Sequence, residues 1–302
     1  MLEVTLLGCG GMLPMKNRWL TSCLVSCQGH SVLIDCGDGT QIALKCAGKK
    51  VKPIDMICIT HFHADHISGL PGFLLSMGNE GRTAPITIVG PSRIEKIVKS
   101  LCVIAPNLPF EINYSELMDS VPIESGVFKI TPFEVKHSVR CFGYSIELER
   151  KGKFNPEKAR ANCIPMCIWS KLQNYGEVDY NGRTYKYNEV SDGTRKGIKL
   201  TYCTDTRPTE SIVTHAMNAD LFICEGLYYE ADKIVRAIKT GHMIYSEAAK
   251  LAYDSDVKQL WLTHFSPAVK DPEQGIEEAR KIFPQSFCGA DGKSIDINYP
   301  ED

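Results

Sequence analysis

Short apolar runs rich in β-branched residues recur along the chain and predict the strands of an α/β protein. In the first half these runs cover residues 2–7, 22–27, 31–35, 55–60, 85–89, 128–135 and 141–149. In the second half they cover residues 198–204, 220–225 and 257–263. Runs of this length, bounded by turn-forming residues, are typical of strands. Residues 28–30, between the second and third runs, predict a short hairpin turn.

Helical periodicity appears between the strands. It predicts helices at residues 93–103, 209–216, 246–254 and 272–283, and a further helix after residue 67. Strands and helices follow one another in both halves, which permits two half-domains, each a sheet with helices outside, packed sheet to sheet. No Pro/Gly/Ser-rich linker divides the chain, and we therefore interpret residues 1–302 as a single domain.

The first predicted site follows the run at residues 55–60. His61, His63, Asp65 and His66 stand within six positions. In an extended chain His61 and His63 project to the same side, and the two later residues reach a second ion after the chain turns. An isolated histidine is usually an ordinary core or surface residue, but four residues of this type at this spacing favour a metal site. Imidazole and carboxylate ligands without thiolates suit zinc, and the cluster indicates a metallohydrolase.

Three further candidates each lie at the end of a predicted strand, namely His137, Asp205 and His264. Each is ambiguous alone, because an Asp at a strand end is often a turn or helix cap. Together with the first cluster they complete a set of five histidines and two carboxylates. The carboxyl ends of strands are where α/β proteins place their sites. His30, in the predicted turn, and His215, within a predicted helix, lack this context and are left out.

Charge is distributed unevenly along the chain. The whole chain carries a formal charge of only −2, which gives no evidence for a nucleic-acid partner. Residues 150–199, here called the basic segment, carry eleven Lys/Arg against five Asp/Glu, together with six aromatic residues. Such a stretch can bind phosphates and stack on bases. The alternative is a solvated hairpin or loop with ordinary tyrosines.

Cysteine usage predicts a reducing compartment. The thirteen cysteines are an odd number, and many stand within apolar runs, which suits buried hydrophobic side chains better than a disulfide framework. The first residues lack the charged region and cleavage site of a secretion signal, and no apolar run is long enough to span a bilayer. We expect a cytoplasmic protein without a membrane partner.

The motif at residues 61–66 resembles the HxHxDH signature of the metallo-β-lactamase superfamily. With the Asp-Cys-Gly-Asp-Gly-Thr-Gln run at residues 35–41 and Gly-Leu-Pro-Gly at residues 69–72, the chain resembles the ribonuclease Z family of tRNA 3′-processing endonucleases over nearly its whole length. The resemblance implies a four-layer αββα metallo-β-lactamase-like sandwich, with the basic segment as a protruding substrate-binding arm. It also implies a homodimer in which the arm of one subunit serves its partner.

The resemblance also implies roles for the site residues. It implies two Zn²⁺ ions per subunit, one held by His61, His63 and His137 and the other by Asp65, His66 and His264. Asp205 would bridge the two ions. Asp65 would also take part in the reaction, together with His242 as proton donor and Glu225 as the carboxylate that orients it. The alternative for His242 is a surface histidine after a helix.

The sequence departs from the family pattern in three places. Cys224 replaces the histidine before Glu225, and Met243 and Ile244 replace a Ser-Thr pair. Residues 163–169 stand where the family has a Gly-Pro element at the base of its arm. Within the basic segment we predict Lys171, Arg183 and Lys186 as substrate-binding residues.

The predicted function is that of a dizinc phosphodiesterase that removes 3′ trailers from precursor tRNA and leaves a 3′-hydroxyl. One alternative is a small-molecule metallohydrolase of the same superfamily, acting on a phosphodiester, a sulfate ester or a lactone. A second is an RNA-tethering protein with a decayed site, against which the seven ligand positions argue.

Overall fold

The computed structural model describes residues 1–301, which fold as two compact units. The first unit comprises Met1–Leu148 and Lys199–Asn298. The second unit comprises Glu149–Ile198 and residues 299–301. All predicted metal ligands belong to the first unit, so the candidate site lies within one unit.

The strands alternate with helices along most of the first unit. Before the second unit its strands are β1 (Leu2–Gly8), β2 (Ser22–Cys27), β3 (His30–Ile34), β4 (Ile54–Cys58), β5 (Ile86–Gly90), β6 (Ile112–Glu116), β7 (Ile123–Ser125), β8 (Phe128–Val135) and β9 (Cys141–Arg150). The second unit contains β10 (Lys153–Phe154), β11 (Glu177–Tyr180), β12 (Arg183–Lys186) and β13 (Ser191–Asp192). The first unit then continues with β14 (Arg195–Cys203), β15 (Leu221–Glu225), β16 (Leu260–Thr263), β17 (Ser286–Cys288) and β18 (Ser294–Ile297). The α-helices are α1 (Thr40–Cys46), α2 (Ala64–Ile67), α3 (Leu70–Asn79), α4 (Ile94–Leu101), α5 (Pro156–Ala161), α6 (Trp169–Tyr175), α7 (Glu210–Ala216), α8 (Ile234–Thr240), α9 (Tyr245–Asp254) and α10 (Ile276–Arg280).

The first large sheet has the order β18-β1-β2-β3-β4-β5-β6. Its antiparallel part includes the predicted hairpin, in which Gln28 and Gly29 turn the chain at φ values of 51° and 84°. Positive φ at both turn positions matches the right-handed twist of the paired strands. The parallel strands β3 to β6 then run side by side, so their carboxyl ends meet at one edge.

The second large sheet has the order β17-β16-β15-β14-β9-β8-β7. Strands β7, β8 and β9 are antiparallel, whereas β14 to β17 are parallel. The two sheets meet through buried contacts. The hydroxyl of Tyr144 on β9 donates to the carbonyl of Ile59 at 2.7 Å, and the amide of Phe142 donates to Thr60 at 3.0 Å.

Helices cover the outer faces of both sheets. One buried cluster joins the first sheet to α1, α3 and α4 through side chains such as Leu44, Phe73 and Val98. Another joins the second sheet to α7, α9 and α10 through side chains such as Ile212, Ala249 and Ala279. Burial of these apolar faces is the main driving force for folding. The two sheets with helices outside confirm the predicted αββα sandwich.

Several elements were not predicted. In the first unit they include the short strands β6, β7, β17 and β18 and the helices α1, α2 and α8. Strand β18 alternates exposed Ser294 and Asp296 with half-buried Ile295 and Ile297, and it pairs antiparallel with β1. This pairing returns the end of the chain to the first sheet, which two independent half-domains would not require. The helix predicted at residues 272–283 is also shorter, since a 3₁₀ turn (Pro272–Gly275) precedes α10.

The second unit has a hydrophobic core of its own. Helices α5 and α6 and the pairs β10–β13 and β11–β12 surround the buried side chains of Ile168, Leu172 and Tyr185, among others. Most aromatic residues of the basic segment pack against this core, and of the six only Tyr175 is largely exposed, at 77%. The structure thus favours a structural role for most of these rings. No helix within residues 1–301 is both long enough and apolar enough to cross a bilayer.

Candidate metal centre

The first ligand candidates follow β4 on a short extended segment and on α2. β4 ends at Cys58, two residues earlier than predicted, yet His61 and His63 still bring their rings together, with centroids 4.6 Å apart. Asp65 and His66 lie on the single turn of α2. The turn after the strand therefore separates the motif into two pairs, as the spacing predicts.

One group of potential ligands consists of His61, His63, His137 and Asp205, whose ligand atoms all lie within 4.8 Å of one another. His137 follows the end of β8, and its Nε2 is 3.3 Å from Nδ1 of His63. Asp205 follows β14, and its Oδ2 is 3.6 Å from Nε2 of His61 and 3.7 Å from Nε2 of His137. Three strands from two sheets thus deliver these four side chains.

A second group consists of Asp65, His66 and His264. Nε2 of His66 lies 3.3 Å from Nε2 of His264, which in turn is 3.4 Å from Oδ2 of Asp65. The other oxygen of Asp205, Oδ1, is 3.2 Å from His66 and 3.1 Å from His264. Asp205 therefore directs one oxygen to each group, which is the position of a bridging ligand.

The residues fit a pair of cations. Ring nitrogens and carboxylate oxygens converge in the protein interior, and the buried Nε2 of His61 has no hydrogen-bond partner among the described residues. Buried polar atoms are normally satisfied, and a divalent cation satisfies such a convergent set of nitrogen and oxygen donors. The donor set, five imidazoles and two carboxylates, is one that zinc accepts.

Charge within the site supports ligand roles. Burial, reinforced by the neighbouring imidazole of His66, holds the pKa of His61 well below its usual range, so its ring is neutral as a ligand must be. His66 behaves differently: burial lowers its pKa, but Asp205 and Asp35 on either side raise it well above the usual range. A cation at His66 would replace the proton that these carboxylates attract.

Asp35 was not among the predicted site residues, although it lies behind a ligand. Its Oδ2 accepts a hydrogen bond from Nδ1 of His66 at 2.7 Å, and its Oδ1 accepts the amide of Thr60 at 2.8 Å. This contact fixes the tautomer of His66 and leaves Nε2 for the site. Burial raises the pKa of Asp35, and the His66 ring opposes that rise. The signal in the sequence is a carboxylate directly after β3.

The loop after β1 closes one side of the site. The amide of Met12 donates to Oδ2 of Asp65 at 2.6 Å. A Cβ atom on Gly11 would lie 2.5 Å from the His264 ring, so only glycine fits there. The sequence offered no signal for Met12, because it acts through its backbone.

His242 and Glu225 form a buried pair beside the metal ligands. Nδ1 of His242 lies 3.0 Å from Oε2 of Glu225, and His242 is only 7% exposed, which excludes the alternative of a surface histidine. The amide of Thr206 donates to the other Glu225 oxygen. Burial lowers the pKa of His242, but the Glu225 charge and hydrogen bond outweigh it and raise the pKa to about 9. Cations bound nearby would lower this pKa again.

The departures from the family pattern lie behind this pair. Cys224 and Met243 are fully buried, and Sγ of Cys224 is 3.6 Å from Sγ of Cys203 and 3.8 Å from Sδ of Met243. These sulfur atoms fill the core of the second sheet. The substitutions leave the His242 and Glu225 contact intact.

The predicted substrate-binding residues lie in the second unit. Lys171, Arg183 and Lys186 are all exposed. Arg183 pairs with Glu189 at 2.6 Å and lies over the Tyr185 ring, so part of its charge is already matched. Their role in substrate binding stays a prediction.

Known proteins resemble this chain either over its first half or over its full length. A sequence profile described as "Anti-Pycsar protein Apyc1" matches residues 2–151. This range includes the motif at residues 61–66 and His137, but not Asp205, His242 or His264. A protein named Ribonuclease Z from Agathobacter rectalis is 50% identical over 303 residues, an alignment that covers 100% of both chains.

Solved structures agree with the fold. Human tRNase Z, short form, superposes with a TM-score of 0.70 at 22% identity, covering 98% of this chain and 99% of that one. The metallo-β-lactamase fold protein YhfI from Bacillus subtilis superposes with a TM-score of 0.69 at 21% identity, covering 97% and 98%. The fold is therefore that of the metallo-β-lactamases. Given the identity and coverage of its full-length relative, the chain belongs to the ribonuclease Z family.

Proposed function

We propose that the protein is a metal-dependent endoribonuclease that removes 3′ trailers from precursor tRNA and leaves a 3′-hydroxyl. The observation that carries this proposal is the pair of ligand groups sharing Asp205, with the buried pair of His242 and Glu225 beside it. Membership of the ribonuclease Z family supports the choice of substrate.

The proposed metals are two Zn²⁺ ions. His61, His63 and His137 would hold one, Asp65, His66 and His264 the other, and Asp205 both. When bound, the cations would lower the pKa of an attacking water and offset negative charge on the phosphate. The protein supplies a largely buried set of donors that already converge: five of them follow strand ends, and Asp65 and His66 lie on the turn of α2.

We propose that His242 donates the proton in the cleavage step. Attack of water on phosphorus forms one P–O bond and breaks the bond to the 3′-oxygen. The water gives up one proton and the 3′-oxygen takes one up, so the reaction balances. Nδ1 of His242 is engaged by Glu225, so Nε2 is the nitrogen left for the substrate. The Glu225 carboxylate stabilises the charged ring, which keeps the proton available near neutral pH.

The assembly and location of the protein belong to the same proposal. We propose a cytoplasmic homodimer that binds precursor tRNA through the basic segment, with Lys171, Arg183 and Lys186 on the docking surface. All thirteen cysteines are unpaired, which suits a reducing compartment. Light scattering of the purified protein tests the dimer: a mass near 33.6 kDa, that of one chain, would contradict it.

Cut-site mapping tests the function. Purified protein loaded with zinc is given a precursor tRNA with a 3′ trailer, and both product ends are mapped. A single cut beside the discriminator base, leaving a 3′-hydroxyl, is expected, with none from an Asp65→Ala control. Turnover of a simple phosphodiester without any cut in the tRNA would contradict the proposal and favour a small-molecule hydrolase.

A further inference from the structure

Arg207 lies two residues after Asp205 and reaches the backbone of His242. Its Nη1 donates to the carbonyl oxygen of His242 at 2.5 Å and to Oε2 of Glu247 at 2.9 Å. Its Nη2 donates to the other oxygen of Glu247, which makes the ion pair bidentate. Both side chains are 17% exposed. A bidentate pair of this kind restrains direction as well as distance.

The backbone of Arg207 is fixed between two ligand-bearing turns. Its amide donates to the carbonyl of Lys136 at 2.9 Å, next to His137. The amide of Lys136 donates to Oγ1 of Thr206 at 3.1 Å. These hydrogen bonds join the turn that carries Asp205 to the turn that carries His137. They restrain the backbone from which the Arg207 side chain extends.

Glu247 contacts the backbone just after His242, where α9 begins. It lies in the first turn of α9, and its Oε2 accepts the amide of Ile244 at 3.1 Å. Ile244 is the N-cap residue of α9 and has no side-chain acceptor, so this carboxylate satisfies a backbone donor that a polar cap would otherwise serve. On the other side of His242, the carbonyl of the preceding residue, Gly241, lies 3.1 Å from Nδ1 of His137.

We propose that Arg207 is a positioning residue that fixes the His242 ring relative to Asp205. It acts through two contacts, one to the His242 carbonyl and one through Glu247 to the start of α9. The inference rests on the proposed role of His242 as proton donor. A displacement of about 1 Å in a group of this kind lowers the rate about 100-fold.

The test compares two leaving groups. Arg207→Gln is assayed on precursor tRNA, whose 3′-oxygen needs a proton, and on a nucleotide 4-nitrophenyl ester, whose leaving group needs none. We expect kcat on tRNA to fall about 10- to 100-fold with KM and zinc content unchanged, while the rate on the ester stays within about threefold. Arg207→Lys, which keeps a charged donor, restores part of the tRNA rate. An equal loss on both substrates, or no loss, overturns the proposal.

Arg280→Gln is the matched control. Arg280 pairs with Glu277 on α10 at 2.8 Å and donates to the Ser286 carbonyl at 3.2 Å, so its loss removes an ion pair and a carbonyl contact elsewhere in the same unit. Its rates on both substrates should equal those of the wild type. If Arg207→Gln fails to fold, Glu247→Gln replaces it, since an amide oxygen still accepts the Ile244 amide; the same selective loss is expected.

A spectroscopic measurement separates this inference from the proposed function. In zinc-loaded protein with ¹⁵N-labelled histidine, the ring signals of His242 should shift in Arg207→Gln and stay in place in Arg280→Gln. An unmoved His242 signal overturns the positioning role whatever the RNA result. A wild-type protein that leaves precursor tRNA uncut overturns the proposed function, whereas a shifted signal in that case still supports the positioning role.

Discussion

At the scale of single residues, the proposed chemistry depends on the buried contact of His242 with Glu225. The Glu225 carboxylate is fully buried at the end of β15, where it holds one ring nitrogen of His242 and the amide of Thr206. An unpaired carboxylate at this depth would be costly, and the contacts with His242 and Thr206 satisfy it. His242 is not among the seven proposed ligands, so its replacement removes no proposed zinc ligand.

His242→Ala should retain both zinc ions and lose turnover. We expect kcat on precursor tRNA to fall about 10²- to 10⁴-fold, the usual contribution of a general acid. Zinc content by elemental analysis and single-turnover rates measure the two effects. His30→Ala, which removes a half-exposed histidine paired with Asp55 outside the site, is the control and should change neither. Wild-type turnover by His242→Ala would show that the proton comes from elsewhere.

Asp35→Asn should weaken zinc binding without removing a ligand. The carboxylate orients His66 and strengthens it as a donor, and loss of such a partner typically costs 10- to 100-fold in metal affinity. Competition with a coloured chelator measures the dissociation constant. Asp55→Asn is a matched control, because it disrupts an aspartate–histidine pair of the same 2.7 Å length at the surface. Equal zinc affinity in both variants would show that Asp35 does not support the metal site.

The seven ligand candidates were predictable because each stands at or just beyond the end of an apolar run. The structure brings all seven together. Asp35, Met12 and Arg207 were not predicted as site residues, since their contacts involve backbone atoms or partners distant in sequence. Aspartates after strands and arginines after turns are too common to be singled out without those partners.

At the scale of elements, the apolar strands were predicted well and the polar ones were not. β1, β2 and β8 match their predicted runs within a residue. β1 and β2 are buried on both faces, whereas in the first half of β8 buried apolar residues alternate with half-buried polar ones. β18 escaped prediction because its Ser and Asp side chains alternate with only two isoleucines. α1 was missed since the glycines before it suggest a loop, although Gly39 serves as its N-cap at a φ of 85°.

The second unit carries the prediction about substrate docking. Reversing two exposed charges, Lys171→Glu and Lys186→Glu, should weaken binding of precursor tRNA. The dependence of log K on log salt should fall by about 0.9 for each phosphate that the protein no longer neutralises. Binding measured at several salt concentrations gives this slope. Lys96→Glu, an equally exposed change on α4, is the control. An unchanged slope in the double variant would place the docking surface outside the basic segment.

At the scale of the whole molecule, two sheets meet with strand ends around one site, and each sheet takes strands from both halves of the chain. The alternation of strands and helices permitted this arrangement, and the contact between Tyr144 and Ile59 realises it. The return of β18 to the first sheet was not predictable, because pairing partners distant in sequence leave no local signal. The role of the basic segment also stays a prediction, because a docking surface is defined by the partner that binds it.

A zinc titration of metal-free protein shows whether cleavage of precursor tRNA depends on two bound zinc ions. Bound zinc and cleavage of a precursor tRNA are measured in the same samples as zinc is added. We predict two zinc ions per chain at saturation, and a single cut beside the discriminator base whose rate rises as the sites fill. Full cleavage by protein kept free of divalent metal, or a saturated protein that leaves the 3′ trailer in place, would contradict a dizinc tRNA 3′-processing endonuclease.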